Sequence, residues 1–170
     1  RRRGRKGCLV AAKIILGIDP GLNNTGWGVI KAEGNSLSFI ASGTLKTTTK
    51  QTTTERLKTI HEGFIGLIET YRPTTAAIEE VFVNDNARSS LKLGQARGVA
   101  ILAAGLAGIE CAEYTPTEIK KAMVGTGRAD KNQMSYMVKM LLPTADPKSA
   151  DAADALAVAV CHAHTNHRQF

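Results

Sequence analysis

The sequence predicts an α/β domain built on a mixed sheet. Three observations carry that expectation. The apolar part of the chain opens with three short strand-like runs in series, then alternates helical and strand-like runs, and closes with helices. Its 170 residues suit one ordinary domain, long enough to bury a core without disulfides or a structural metal. Hydrophobic residues make up 43% and charged residues 22%, a balance that excludes a disordered chain.

Each element has its own signal. Residues 13–19 (KIILGID) form an apolar run ended by Pro20-Gly21, which reads as a buried strand stopped by a turn. Residues 25–32 and 37–45 are short strands joined across 33–36, where Gly34-Asn35 marks the turn of an antiparallel meander. The Thr-rich stretch 47–54 is a polar loop. Over 55–71 the apolar residues Leu57, Ile60, Phe64, Ile65, Leu67 and Ile68 recur at a helical period, which Arg72-Pro73 ends. Residues 74–81 are β-branched and apolar; reached after a helix, they predict a parallel strand. A helix rich in Leu, Ala and Ile follows over 86–106, then a short strand over 109–114. Thr115, Pro116 and Glu118 have the spacing of a capping box with proline in the first turn. Gly125-Thr126-Gly127 breaks that helix, another runs over 130–142, and the last runs from about Pro147 to His164. The strand order gives an antiparallel meander extended by parallel strands and flanked by helices.

The formal charge of +7 is uneven. The first thirteen residues hold six of the 22 basic residues and no acid, leaving 16 basic against 15 acidic in the rest. Bulk charge therefore says little about nucleic acid, and the distribution must carry that argument. Residues 1–12 are expected to be a disordered basic extension or a cloning remnant, with an arm that binds phosphates as the alternative. Residues 13–165 are then the folded domain and 166–170 a C-terminal tail. Lys13 and Asp19 interrupt any secretory signal. The longest nearly apolar run, 99–109, is too short to cross a bilayer. Cys8, Cys111 and Cys161 form no CxxC pair, which suits free thiols in a reducing compartment, and a cytoplasmic protein is expected.

Four carboxylates stand out by position. Asp19 ends the first strand, Glu79 and Glu80 lie near the end of a later one, and Asp151 and Asp154 share a face of the last helix. An aspartate in an apolar helix face is costly unless it is paired or binds a metal. Mg²⁺ or Mn²⁺ prefers such oxygens, and carboxylates from three elements could hold two ions for in-line phosphodiester cleavage. Taken singly, each acid also has a plain structural use: Asp19 in a turn, Asp151 at a helix start, Asp154 as a solvated neighbour. Adjacent strand residues point to opposite faces, so only one of Glu79 and Glu80 can join the others, and parity alone does not choose.

At these residues the chain resembles the RuvC family of Holliday-junction resolvases. The matching stretches are IILGIDPGLNNTGWGVI (14–30), AIEEVF (77–82), SSLKLGQARGVAI (89–101), IKKAMVGTGRADKNQM (119–134) and ADAADALAVAVCHAH (150–164). The resemblance implies an RNase H-like fold with a mixed five-stranded sheet. It implies a homodimeric, Mg²⁺-dependent endonuclease, with two ions per active site and Mn²⁺ as substitute, that nicks two opposed strands of a four-way DNA junction. A branch-migration complex of the RuvA and RuvB type is an implied partner. The family's acids fall on Asp19, Glu79, Asp151 and Asp154, so Glu79 rather than Glu80 is the expected member. A lysine close to the scissile phosphate falls on Lys120, a second basic position on Lys131, and a phenylalanine set against the junction bases on Phe82.

The residues support these transfers unevenly. Lys120 or Lys121 beside a phosphorane would stabilise developing charge, although two lysines on a solvated helix need no such role. Phe82 before a polar loop suits base stacking, or packing at a strand end. Arg88, Lys92 and Arg97 stand in a stretch without acids, and with Lys121, Arg128 and Lys131 they are candidate phosphate contacts. Asp85 would face DNA with negative charge, and Trp27 is expected to pack. Cys161, His162, His164 and His167 invite a zinc reading, but a spacing of two puts His162 and His164 about 200° apart on a helix. They are expected instead as histidines at the negative end of that helix. The same acids would serve a nuclease for RNA–DNA hybrids or a transposase core, and substrate choice separates these.

Overall fold

The computed structural model describes residues 11–80 and 86–166. The elements follow one another as β1 (Lys13–Asp19), β2 (Asn24–Glu33), β3 (Ser36–Lys46), α1 (Thr53–Tyr71), β4 (Thr75–Glu79), α2 (Ala87–Leu106), β5 (Cys111–Tyr114), α3 (Pro116–Val124), α4 (Lys131–Leu141) and α5 (Ala150–Asn166). The five strands form one sheet in the order β3-β2-β1-β4-β5. β1, β2 and β3 are antiparallel neighbours, and β1–β4 and β4–β5 are parallel. The expected meander extended by parallel strands is therefore present.

Local chemistry sets the boundaries. Gly34 takes a left-handed conformation in the β2–β3 turn (φ 57°). Thr52, Thr115 and Asp130 each accept from the backbone N–H three residues on, and Glu55, Glu118 and Gln133 return the bond, giving α1, α3 and α4 complete capping boxes. Gly125 ends α3 in the left-handed region, where Gly lacks the Cβ penalty. The last helix begins at Ala150 rather than near Pro147: the Ser149 hydroxyl accepts from Ala152 N–H (3.1 Å) and pairs with Thr44 Oγ1 (2.7 Å), so Ser149 is its cap.

Two cores cover the two faces of the sheet. Leu16, Ile18, Val29, Ala76 and Ile78 pack with Ile60 and Phe64 of α1 and with Ala96, Ala100, Ala103 and Ala104 of α2. Ile15, Ile30 and Ala77 pack on the other face with α3, α4 and α5. Alternation along the strands then puts Asp19 and Glu79 on the α5 side, continuing Ile15 and Ala77. α5 lies close because the strands beneath it carry glycines. A Cβ on Gly17 would stand 2.1 Å from the Ala155 carbonyl oxygen, and one on Gly26 2.0 Å from that of Asp151. Trp27 packs against Tyr71, ring centroids 5.8 Å apart, as expected.

Candidate active site

The ladder brings the acids together. Ile18 pairs with Ile78 in the parallel register, so the next residues, Asp19 and Glu79, leave the sheet side by side. Gly26 lies opposite Asp19 on β2, and the Asp151 backbone presses against it. The first turn of α5 thereby delivers Asp151, and Asp154 one turn on, to the same end of the sheet. Parity now chooses between the glutamates: Glu79 shares the α5 face with Asp19, and Glu80 does not.

The four carboxylates form one electrostatic group. Burial, then the charges of Glu79, Asp154 and Asp151, raise the Asp19 carboxyl to about 8. Burial also raises Glu79, as does Asp154, while a hydrogen bond with Asp19 and the Lys120 ammonium pull it down. The hydrogen bond between the two carboxyls thus works in opposite senses, raising Asp19 and lowering Glu79. Asp154 is raised by burial, against Lys131, and by Asp151. Among the described residues no three His, Cys, Asp or Glu side chains are arranged as a ready metal cage. An all-oxygen donor set whose Asp19 is raised to about 8, first by burial and then by its three acidic neighbours, fits a hard divalent ion.

A cavity of about 380 Å³ opens beside the acids, lined by Glu79, Asp154, Lys120, Lys131, Ile119 and Met134. Lys120 and Lys131 are the cations that this cleft contains, and each offsets one of the acids. Lys121 lines a different cavity, of about 580 Å³, with Glu118, Cys161 and His164. The choice between the two lysines therefore falls on Lys120, and Lys121 lies apart from the carboxylates. Arg88 and Lys92 are exposed on α2, and Arg128 is exposed in the loop after α3. Arg97 is not free: its Nη2 lies 2.7 Å from Glu113 Oε1, and its Nε donates to the Glu79 carbonyl oxygen at 3.4 Å. Phe82 and Asp85, the basic residues 1–6, Cys8 and His167 lie outside the described residues.

Two features were not anticipated. Arg56 is buried, and its guanidinium donates to Thr47 Oγ1 (2.9 Å) and to Asn23 Oδ1. The Thr47 hydroxyl in turn donates to the Leu22 carbonyl oxygen. This network ties α1 to the turn that follows Asp19, and nothing local in the sequence marks it. His162 also departs from expectation. It is buried rather than displayed at a helix end, with Nε2 2.9 Å from Thr75 Oγ1 and Nδ1 2.7 Å from Tyr114 Oη. Burial, then nearby Lys13, lowers it to about 4, so it serves as a neutral tie between α5, β4 and β5.

A model of the family described as "Crossover junction endodeoxyribonuclease RuvC" matches residues 15–162. The chain belongs to the RuvC family. Its relatives there include the crossover junction endodeoxyribonuclease RuvC of Nitrobacter hamburgensis, 56% identical over 150 residues, with 88% of each chain covered. That of Methylocella silvestris is 56% identical over 153 residues, covering 90% of this chain and 87% of the relative. Among solved structures, Thermus thermophilus RuvC in complex with Holliday junction substrate superposes with a TM-score of 0.87 at 31% identity, covering 92% of this chain and 96% of that one. The yeast mitochondrial Holliday junction resolvase Ydc2 shares the fold, with a TM-score of 0.63 at 14% identity, covering 91% of this chain and 80% of that one. The RuvC match also identifies the mixed sheet with its flanking helices as RNase H-like. RuvC proteins are metal-dependent nucleases, in keeping with the carboxylate chemistry above.

Proposed function

We propose that this chain resolves Holliday junctions, cutting two opposed strands symmetrically with Asp19, Glu79, Asp151 and Asp154 as its metal-holding acids. The observation that carries this reading is the gathering of four carboxylates from β1, β4 and α5 at one end of the sheet, in a chain of the RuvC family. Crossover junction endodeoxyribonucleases are hydrolases of DNA phosphodiester bonds, which gives the acids their substrate class. The four carboxylates would hold two Mg²⁺ ions, with Mn²⁺ as substitute. When bound, such ions supply Lewis-acid charge on both sides of the scissile phosphodiester. The chain's own groups do the rest. Lys120, beside Glu79, faces the charge that develops on the phosphoryl oxygens. Lys131 and the exposed Arg88, Lys92 and Arg128 hold the DNA backbone without reading sequence.

Two equivalent cuts on a four-way junction suit a two-fold homodimer. The setting is recombination and repair in the cytoplasm, beside a branch-migration complex of the RuvA and RuvB type. Among the described residues no helix is long and apolar enough to cross a membrane.

The test is cleavage of an end-labelled, immobile four-way junction in Mg²⁺ and in EDTA, with a linear duplex and an RNA–DNA hybrid alongside. Paired nicks on opposed strands of the junction, in Mg²⁺ alone, are expected. Asp19→Asn should reduce cutting to background while leaving junction binding intact. Preferential cutting of the hybrid would move the function to another nuclease of the same fold, and wild-type cutting by the Asn variant would remove Asp19 from the chemistry.

A further inference from the structure

We propose that Arg97 is a positioning residue for Glu79 and not a phosphate contact. This rests on the reading above that Glu79 is one of the metal-holding acids. Glu79 is the last residue of β4, and the β4–β5 ladder ends with it, at the pair Glu79–Tyr114. The ladder to β1 has already ended one residue earlier, at Ile18–Ile78. On the β5 side this strand end is tied, since Glu80 N–H donates to the Tyr114 carbonyl oxygen (2.7 Å), while the ladder to β1 gives Glu79 no further anchor. Arg97 Nε supplies one by donating to the Glu79 carbonyl oxygen at 3.4 Å.

The anchor is itself held. Glu113 pairs with Ile78 in register, so it shares the α2 face of the sheet, and its Oε1 lies 2.7 Å from Arg97 Nη2. Ala96 and Ala100, buried on either side of Arg97 along α2, fix that helix against the same face. The Arg97 side chain is only 20% exposed and Glu113 is its ion-pair partner. The carboxyl of Glu79 lies on the opposite face, with Asp19 and α5. Arg97 therefore reaches Glu79 through the backbone, from behind the sheet. An arginine so placed sets where the carboxylate stands and does not touch the reacting phosphate. Groups that orient metal ligands act in this way, and their loss typically costs about ten- to a hundredfold in metal affinity or activity.

The experiment compares wild type with Arg97→Gln, Arg97→Lys and Glu113→Gln in the full chain. Three quantities are read: junction binding in EDTA across a salt series, the thermal shift produced by Mn²⁺ alone, and the Mg²⁺ concentration for half-maximal cleavage. Positioning predicts unchanged metal-free binding and an unchanged salt slope. It predicts a metal requirement raised about ten- to a hundredfold in Arg97→Gln, with a matching loss of the Mn²⁺ thermal shift. Arg97→Lys should keep the charge but not the forked geometry and should restore little. Glu113→Gln should shift the metal requirement in the same direction by less. A phosphate contact predicts the reverse: Arg97→Gln weakens metal-free binding and lowers the salt slope by about one, and Glu113→Gln tightens binding. That pattern, or a metal requirement unchanged in both variants, overturns the proposal. If Arg97→Gln does not fold, Glu113→Gln, whose side chain is half exposed, decides it alone. A wild type with neither cleavage nor a Mn²⁺ shift overturns the reading of the acids and this inference with it; a wild type that cuts, beside variants identical to it, overturns this inference only.

Discussion

Asp19 carries the strongest conflict of any side chain described. Burial and three acidic neighbours raise its carboxyl from 3.8 to about 8. A carboxyl whose folded value lies above its unfolded value binds its proton more tightly in the native state. The stability this contributes is whole below the unfolded value and is lost as pH rises through the folded one. Glu79 and Asp154 are shifted the same way. His162 has the opposite sign: lowered from 6.5 to about 4, it contributes stability that is complete above 6.5 and lost as pH falls through 4. The two effects overlap in acid but separate above 6.5. In EDTA the thermal midpoint should therefore decline between pH 6.5 and 8. Asp19→Asn should flatten that decline, and Mg²⁺ should abolish it in the wild type. A wild-type midpoint that stays level over this range in EDTA would show that burial and its acidic neighbours do not raise Asp19 as described.

Helix α5 is the element that turns a sheet into a site. It brings two acids to the end of β1, and it fits only because Gly17, Gly26 and Gly28 leave room beneath it. A Cβ on Gly26 would stand 2.0 Å from the Asp151 carbonyl oxygen, and backbone cannot swing aside as a flexible side chain would. Gly26→Ala should destabilise the fold by about 1–3 kcal/mol in urea titration and displace the acids from Asp19, so cleavage should fall further than stability accounts for. Equal losses of the two would place no special demand on that contact. The C-terminal half of α5 is fastened by His162. Removing it as His162→Ala leaves the Thr75 and Tyr114 hydroxyls short of a partner and opens a cavity, an expected cost of about 2–4 kcal/mol by the same titration. Most elements were legible in the sequence because their signals are local: apolar period, capping boxes, Gly34, Gly125 and the Pro-Gly turn. What stayed hidden depended on partners far along the chain. The start of α5 was set by Ser149 meeting Thr44, 105 residues away. Glu79 could be told from Glu80 by physical reasoning only once Ile78 was seen to pair with Ile18. Arg97 stood in a stretch without acids, yet its partner Glu113 arrives on the next strand. The carboxylates were visible as candidates, and the raised Asp19 was not, because burial and the approach of its acidic neighbours are properties of the packed sheet end.

At the scale of the whole molecule, the question is what covers α2. Its buried side is small and alanine-rich, facing the sheet and α1. Its outer side carries Leu91, 71% exposed, Leu102, 55%, and Leu106, 68%. Gly94, Gly98 and Gly105 are also exposed, and a Cβ at any of them would meet nothing within 4 Å. At 100° per residue these six positions fall in one stripe. Three large apolar side chains and three glycines on one exposed stripe are poor surface chemistry, since each glycine costs helix stability of about 0.5–1 kcal/mol relative to alanine. The stripe makes sense when a second helix lies close along it, as an isologous dimer would place α2 against its own copy. The glycines make the test clean. Gly98→Glu adds a side chain into open space within a chain, and it improves local helix propensity, so the monomer should fold at least as well. Between two copies the same side chain would be buried without a counter-charge, which is strongly destabilising. Sedimentation at micromolar concentration should give a dimer for the wild type and a monomer for Gly98→Glu with an unchanged circular dichroism spectrum. On a labelled junction the variant should lose paired nicking of opposed strands while keeping the four acids intact. A wild type that sediments as a monomer, or a variant that remains a dimer, would remove α2 from the interface and with it this account of the exposed stripe.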